Sequence, residues 1–320
     1  MESRKNTFML DWMAQKDGEH RTRESAVARC TGSHFRVSRR KFMGSALAAA
    51  GGVILSRAGQ AARWQMGCFT RPWAEYDYHV AFDGIAAAGF KYVGLMGTKS
   101  QSGLIVSLHT TAEEAAAVGA EVKQRGLEVI SMWADEFGTA DDFKHLVDNA
   151  AACGSPGLLL GGTDEKHAEA YYKVIAACCD YAAAKRVLLT LKPHYGTDPD
   201  GVRCRATIER IGHQNFRLWY DPGNIFYYSQ GKLDPVDDAA TVDGIVTGMC
   251  VKDFRPPQEV MITPGTGKVN FAKVLARLRQ GGFTHGPLVV ECLDHGDTAH
   301  INAEAVKARQ FLEALTGQKA

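Results

Sequence analysis

From Arg63 onward, short apolar runs alternate with longer stretches in which apolar residues recur three and four positions apart. The apolar runs are typical of buried parallel strands, and the stretches between them are typical of amphipathic helices. The predicted strands are Gln65–Phe69, Tyr92–Met96, Glu128–Trp133, Gly157–Gly161, Val187–Leu191, Phe216–Tyr220, Val246–Val251 and Pro287–Glu291. The predicted helices are Tyr76–Ala88, Thr111–Gln124, Ala140–Ala152, Lys166–Ala184, Cys204–Ile211, Val236–Asp243, Phe271–Gln280 and Ala299–Leu315.

This alternation of strand and helix predicts an α/β fold with a parallel sheet. Eight strand–helix units in about 258 residues match the size of a typical (β/α)8 barrel of about 250 residues. An open, doubly wound sheet is the alternative, and it normally carries a glycine-rich phosphate loop after its first strand. The segment Gly67–Pro72 has no such loop. We therefore predict a single-domain TIM barrel over residues 63–320.

The N-terminal 62 residues differ from the rest of the chain in charge. They carry a formal charge of +6, whereas the remainder carries −5. Arg39 and Arg40 lie in a segment that resembles a twin-arginine export signal, and a weakly apolar stretch from Gly44 to Leu55 follows it. The sequence therefore predicts an exported protein, in the periplasm or cell envelope. If the arginine pair is fortuitous, a cytoplasmic protein with a basic N-terminal tail is the alternative.

The bulk composition narrows the class of partner. With 45% hydrophobic and 23% charged residues, the chain has the make-up of a water-soluble globular protein. The apolar stretch of the signal is too short for a membrane span, and no other segment is long enough. The mildly acidic body argues against nucleic acid, because phosphate binding requires a basic surface. Seven cysteines follow the signal without the spacing of a disulfide framework or a zinc motif, so most are predicted to be small buried apolar residues.

Polar side chains stand at the carboxyl ends of the last four predicted strands. They belong to the segments Leu191–Gly196, Tyr220–Asn224, Cys250–Asp253 and Val289–Cys292. In a (β/α)8 barrel this edge of the sheet carries the chemistry. Side chains two residues apart share one face of a strand. Several inward-facing residues can therefore converge on the barrel axis, namely Lys192, His194, Asp221, Cys250, Lys252 and Glu291.

These four strand ends resemble the metal-site strands of the xylose isomerase-like TIM barrels, a superfamily of sugar isomerases and epimerases that also includes endonuclease IV. The family has Glu, Asp, His and Glu at the four places. Here Asp221 and Glu291 match the pattern, but Lys192 replaces the first Glu and Cys250 replaces the His. The position of His194, two residues after Lys192, mirrors the Glu-x-His of the family on this strand. The resemblance implies the barrel fold and a site at its mouth, with an altered set of metal ligands.

The resemblance also implies a chemistry. In the family a divalent ion polarises a sugar carbonyl while carboxylates move a proton between neighbouring carbons. We expect a sugar or keto-sugar isomerase or epimerase with Glu291 as the base, His194 and Lys192 as acid or oxyanion partners, and Asp221 orienting them. A lyase or hydrolase of 3-keto-glycosides on the same scaffold is one alternative. A carbohydrate-binding barrel without catalysis is another.

The exchange of Glu for Lys192 leads us to expect no metal or other cofactor. An ammonium group in this place would repel a divalent cation and could itself act as a fixed electrophile. If a metal is present, zinc or manganese held by His194, Asp221, Cys250 and Glu291 is the alternative. A third possibility is a Lys192 imine with a keto sugar, as nucleophilic lysines form in pockets that depress their pKa.

Loops on the same edge carry aromatic and hydrogen-bonding side chains that suit a sugar ring and its hydroxyl groups. The predicted partner is therefore a small sugar or keto-sugar. We expect no nucleic-acid partner and no membrane span in the mature protein. The candidate substrate-binding residues are Trp73, Trp133, Asn224, Lys252, Asp253, Arg255 and His295. The glycine-rich segment Pro264–Phe271 lacks the full phosphate-loop pattern, so it does not predict a nucleotide site.

Overall fold

The computed structural model describes residues 63–320, and the predicted export signal around Arg39 and Arg40 lies outside them. Eight parallel strands close into a barrel in the order of the chain, and β1 pairs with β8 to complete the ring. The (β/α)8 prediction is therefore confirmed. The strands are β1 Trp64–Phe69, β2 Tyr92–Leu95, β3 Glu128–Trp133, β4 Gly157–Leu160, β5 Leu188–Leu191, β6 Phe216–Tyr220, β7 Val246–Val251 and β8 Gly286–Val290.

Helices cover the outside of the barrel. The α-helices of the described residues are α1 Tyr78–Ala87, α2 Ala112–Gln124, α3 Ala140–Ala152, α4 Ala168–Ala184, α5 Gly201–Ile211, α6 Pro222–Tyr228, α7 Pro235–Asp238, α8 Phe271–Gln280 and α9 Thr298–Thr316. Their starts follow local capping chemistry. Thr111 and Thr139, for example, cap α2 and α3 in capping boxes with Glu114 and Asp142.

Two helical segments differ from the prediction. The stretch predicted as one helix over Val236–Asp243 is a short α7 followed by a 3-10 turn at Ala239–Val242, because Asp234 caps the chain and Pro235 starts the helix earlier. The short helix α6 was not predicted, since a Pro-Gly-Asn sequence favours a turn. It forms because Asp221 caps it and Pro222 occupies its first position.

The barrel interior is filled by side chains from alternate positions of the strands. This inner cluster consists of Phe69, Met96, Ile130, Leu159, Trp219, Cys250 and Val289. Two glycines make room for its largest rings. A Cβ atom at Gly94 would overlap the Phe69 ring, and one at Gly248 would lie 2.7 Å from the Trp219 ring. The interior is therefore a packed core, and the space for chemistry lies above it at the carboxyl ends of the strands.

The seven cysteines of the described residues are all buried and none forms a disulfide. Their burial agrees with the prediction that most act as small apolar residues. Among residues 63–320, no helix is both long enough and apolar enough to cross a bilayer.

A buried carboxyl group joins three elements below the mouth of the barrel. Asp238 Oδ1 accepts a hydrogen bond from the Gly201 backbone N–H at 2.9 Å, and Oδ2 lies 2.9 Å from the Tyr220 hydroxyl. That hydroxyl has a single proton, which it donates to the Pro235 carbonyl at 2.7 Å. Asp238 is 2% exposed, and burial raises the pKa of its carboxyl group to about 6. The protonated acid can donate to Tyr220, so both neighbours are satisfied in that form.

We expect Asp238 to make the folded state less stable as the pH rises. Its folded pKa lies above the unfolded value near 4, so its contribution is fully present below about pH 4 and is lost as the pH rises through about 6. Between about pH 5 and about pH 7.5, the free energy of unfolding measured in urea should therefore fall by about 1–2 kcal/mol more in the wild type than in Asp238→Asn. The amide keeps both hydrogen bonds without titrating, so equal losses in the two proteins would refute the assignment.

Candidate active site

Four charged residues lie together at the mouth of the barrel, each being the first residue after its strand. Lys192 follows β5, Asp221 follows β6, Lys252 follows β7 and Glu291 follows β8. We call these four residues the charged tetrad. All four are almost completely buried, with exposed fractions of 0–3%. Because side chains two residues apart share one face of a strand, Asp221, Lys252 and Glu291 face the same side as Trp219, Cys250 and Val289 of the inner cluster.

The tetrad is a compact network of ion pairs. Lys192 Nζ lies 2.5 Å from Glu291 Oε2 and 3.0 Å from Asp221 Oδ2. Lys252 Nζ lies 2.8 Å from Glu291 Oε1 and 3.7 Å from Asp221 Oδ2. Each ammonium group therefore bridges both carboxylates. Buried charges require such pairing, because a single one left alone costs several kcal/mol.

Neighbouring groups hold the tetrad in place. Asp221 Oδ1 accepts the Asn224 backbone N–H at 2.9 Å, which caps α6 and turns Oδ2 towards Lys192. The Asn224 side chain accepts a hydrogen bond from Lys252 Nζ at 2.9 Å and donates one to the Pro193 carbonyl at 2.7 Å. The predicted substrate-binding residue Asn224 therefore supports the lysine of the tetrad.

A third cation reaches the tetrad from the segment after β1. Arg71 lies in a 3-10 turn, and its Nη1 donates to Glu291 Oε1 at 2.6 Å and to Cys292 Sγ at 3.3 Å. Its side chain is 15% exposed, so it is the most exposed of the three cations. Glu291 thus accepts hydrogen bonds from Arg71 and Lys192 and forms a further ion pair with Lys252.

The electrostatics fix the protonation states of the network. Burial disfavours the charged form of Lys192, but the carboxylates of Glu291 and Asp221 outweigh it and hold the lysine pKa well above its usual value. Burial would likewise raise the pKa of Glu291, yet Lys192, Lys252 and Arg71 hold it well below its usual range. Lys192 is therefore an ammonium and Glu291 a carboxylate at neutral pH.

An aromatic rim surrounds the tetrad. The Trp133 ring centroid lies 5.4 Å from Lys192 Nζ, within the range of a cation–π contact. The His194 ring lies 5.8 Å from that of Trp133 and 5.5 Å from that of Tyr228. Burial and the charges of Lys192 and Lys252 hold the pKa of His194 well below its usual value, so its imidazole is neutral. Its buried Nδ1 makes no hydrogen bond to the described residues.

The site does not fit a divalent metal ion. Asp221, Cys250 and Glu291 each offer a donor atom within 4.8 Å of the others, but within residues 63–320 His194 is not part of this cluster. Both carboxylates are already bound to ammonium groups. Burial holds the pKa of Cys250 well above its usual value, so its thiol would have to lose a proton in a nearly water-free place before it could bind a metal ion. An entering cation would also meet the repulsion of three positive side chains.

Four of the predicted substrate-binding residues lie apart from the tetrad contacts. Trp73 is fully buried and donates to Asn302 of α9 at 3.0 Å. Arg255 forms a half-exposed ion pair with Glu259 at 2.9 Å, and His295 is exposed. The Asp253 carboxylate accepts four backbone N–H groups, those of Phe254, Gly265, Gly267 and Val269. Asp253 therefore fixes the loop between β7 and α8.

Two site residues, Arg71 and Tyr228, belong to loops whose side chains were predicted to suit a sugar, but they were not selected as site candidates. Arg71 lies two residues after β1 and Tyr228 ends α6, and neither position belongs to the periodic pattern of a strand. Their inward orientation depends on turns whose geometry the sequence does not specify. The available signal was their placement in loops on the same edge of the barrel as the tetrad.

Fold and site together define a TIM barrel with a charged site at the carboxyl ends of its last four strands. The family model described as xylose isomerase-like TIM barrel matches residues 82–315. The chain therefore belongs to the xylose isomerase-like TIM barrel family. Its resemblance to that family, inferred from the strand ends, is confirmed.

Individual relatives match this chain over only part of its length or at low sequence identity. A probable L-ribulose-5-phosphate 3-epimerase of Mycoplasma pneumoniae is 34% identical over 116 residues, which span 35% of this chain and 37% of the epimerase. Among solved structures, a xylose isomerase domain protein from Planctomyces limnophilus superimposes with a TM-score of 0.63 at 18% identity, covering 79% of this chain and 97% of the other. A D-psicose 3-epimerase from Clostridium cellulolyticum H10, solved with D-tagatose, gives 0.61 at 12% identity, covering 79% and 99%. At these identities the structures show a shared fold.

Proposed function

We propose that the protein is a sugar or keto-sugar isomerase or epimerase that transfers a proton next to a carbonyl group without a metal ion. One observation carries the proposal. Two lysine ammonium groups bridge the carboxylates at the strand ends where the family pattern places metal ligands. The names of the relatives, which include a ribulose-phosphate and a psicose 3-epimerase, support a sugar as the substrate.

Fixed cations can supply the electrostatic part of this chemistry. Removing a proton next to a carbonyl leaves negative charge on the carbonyl oxygen. Preorganised donors in a dry site stabilise such an oxyanion, and removing one typically costs about 100- to 1,000-fold in rate. In the proposal, Arg71 and the lysines of the tetrad are these donors. Because they are held by Glu291 and Asp221 before the substrate arrives, they need little reorganisation.

The contacts favour a different base from the one predicted. Glu291 was predicted to take the proton, but both of its carboxylate oxygens are occupied by cations. The pKa of His194 is lowered as well, but its buried Nδ1 makes no hydrogen bond to the described residues, so that nitrogen can accept a proton. We therefore assign proton abstraction to His194, and we assign the positioning of the cations to Glu291 and Asp221.

The imine alternative is disfavoured by the same charges. A lysine forms an imine only as the free amine, and the pKa of Lys192 is raised rather than depressed. The 3-keto-glycoside lyase or hydrolase remains compatible with the proposed proton abstraction, because β-elimination begins with the same step. A binding barrel differs from both in that it exchanges no proton.

The test is proton exchange with solvent, followed by NMR in deuterated water with D-fructose, D-psicose and a methyl 3-ketoglucoside. We expect deuterium to enter next to the carbonyl of the ketoses, together with formation of an isomer or epimer. His194→Gln and Lys192→Met should each slow this about 100-fold or more. The control Lys185→Met removes an exposed lysine paired with Asp148 on the outside of the barrel. Release of methanol from the glycoside would favour the lyase, and no exchange with any sugar would favour a binding barrel.

A further inference from the structure

The ring of His194 is not held by a hydrogen bond at its buried nitrogen. It contacts the rings of Trp133, Tyr195 and Tyr228 at centroid distances of 5.4–5.8 Å. Its Nδ1 makes no hydrogen bond to the described residues. A catalytic histidine is usually oriented by a partner of one ring nitrogen. The orientation of this ring therefore depends on packing and on the backbone that carries it.

Two loops enclose His194, and they are tied to each other. The loop after β4 begins with Gly161, and a Cβ atom added there would lie 3.3 Å from His194 Nδ1. The loop after β5 carries His194 itself, whose backbone N–H donates to the Asp198 carbonyl at 2.8 Å. The Thr197 N–H of this second loop donates to the Thr163 carbonyl of the first at 2.9 Å. Whatever holds the two loops therefore also holds the imidazole.

The side chain of Asp198 anchors the second loop. Asp198 is fully buried, and its carboxylate accepts hydrogen bonds from three hydroxyl groups. The donors are Thr197 beside it, Thr207 of α5 at 2.6 Å and Tyr172 of α4. A carboxylate in such a place depends on its donors, because burying it without them is costly. The loop that carries His194 is therefore fastened to two helices on the outside of the barrel.

Two adjacent tyrosines of α4 reach both loops. Tyr172 donates to the Asp198 carboxylate, and Tyr171 donates to the Gly161 carbonyl at 3.0 Å. Burial and the nearby Asp198 carboxylate hold the pKa of Tyr172 well above its usual value, so its hydroxyl stays protonated and can donate. One turn of a single helix therefore fixes both loops around His194.

We propose, building on the function proposed above, that Tyr172 and Asp198 are positioning residues that fix the imidazole of His194 for proton transfer. They act through the backbone of the loop after β5, since the Asp198 carbonyl accepts the His194 N–H. Tyr171 supports the opposite side of the ring through Gly161. A displacement of about 1 Å at a reacting group can cost about 100-fold in rate, so a hydroxyl remote from the substrate can affect the reaction.

The test compares Tyr172→Phe with Tyr181→Phe, which removes a hydroxyl from the same helix. Tyr181 donates to the Asp148 carboxylate at 2.8 Å and contacts neither loop. Long-range proton–nitrogen NMR, assigned with His194→Gln, follows the ring nitrogens of His194, and proton exchange of D-fructose and D-psicose gives kcat and KM. We expect Tyr172→Phe to shift the His194 signals and to lower kcat about 10-fold or more, with KM changed by less than about 2-fold. Tyr181→Phe should change neither.

A second variant reaches the same carboxylate from another helix. Thr207→Val removes the hydroxyl but keeps the shape of the side chain, so it should have the same effects and decides the question if Tyr172→Phe does not fold. Unchanged His194 signals in the folded variants would show that the network serves stability alone, and the inference would be wrong. If the wild type exchanges no proton with either ketose, the proposed function fails, and the His194 signals alone decide whether these residues position the ring.

Discussion

Replacing Glu291 with Gln is expected to lower the free energy of unfolding by about 3–5 kcal/mol, the range found when one partner of a buried ion pair is removed. The reason is the number of charges that depend on this side chain. Arg71, Lys192 and Lys252 all contact its two oxygens within 2.8 Å, and the amide that replaces it carries no charge. Chemical unfolding with circular dichroism measures the loss.

The loss should be partly recovered by removing one of the cations. We expect Glu291→Gln combined with Lys192→Met to be at least 1 kcal/mol more stable than the sum of the single changes predicts, since contacting charges couple by about 0.5–3 kcal/mol. The control is Glu259→Gln, which breaks the half-exposed pair with Arg255 and should change stability by less than about 0.5 kcal/mol. Strictly additive effects of the two tetrad changes would contradict the network.

The second large effect concerns metal binding. We expect the purified protein to contain less than about 0.1 equivalent of zinc or manganese, because two ammonium groups already occupy both carboxylates and repel a divalent ion. The variant Lys192→Glu/Cys250→His/Lys252→Met restores the family ligands and removes the second lysine. It should bind about one equivalent of manganese, measured by mass spectrometry of the metal content and by calorimetry.

Two controls isolate the cause of this difference. Lys192→Met/Lys252→Met removes both cations without adding a ligand, so it should bind manganese more weakly than the triple variant. Chelator treatment should leave the melting temperature of the wild type unchanged, because we propose that no bound ion contributes to its stability. Stoichiometric zinc in the wild type, lost together with stability in Cys250→Ser, would show instead that the thiol is a metal ligand.

The structure changes how these variants have to be designed. From the sequence, Lys192 and Cys250 were the two departures from the family pattern, so restoring Glu and His at these positions looked sufficient. Lys252 contacts Glu291 at 2.8 Å and would remain beside the restored site. Cys250 of β7 and Lys252, the first residue after that strand, face the same side, and periodicity alone cannot decide which of them lies level with the carboxylates.

Much of the fold follows from the sequence because the hydrophobic period is strong. Both ends of all eight strands lie within one residue of their predicted bounds, since each strand is a short apolar run between polar or glycine-containing segments. The convergence of Lys192, Asp221 and Glu291 likewise follows from their place at strand ends. The roles of these residues in catalysis remain predictions.

The parts that escaped prediction depend on local turns and on long-range charge. The inward orientation of Arg71 depends on a 3-10 turn. Asp221 caps the short helix α6, whose first residues favour a turn when only the sequence is considered. The low pKa of Glu291 results from three cations on three different segments, the closest of them 39 residues away along the chain. No local sequence window contains that information.

The closure of the barrel brings the end of the chain back to β1. The Gln318 side chain accepts a hydrogen bond from the Trp64 backbone N–H at 2.9 Å, at the amino end of the first strand. The charged tetrad lies at the opposite, carboxyl end of the strands. A surface or a fusion partner linked to residues 318–320 should therefore lie on the side of the barrel away from its mouth, which suits immobilisation in a sensor or a flow reactor.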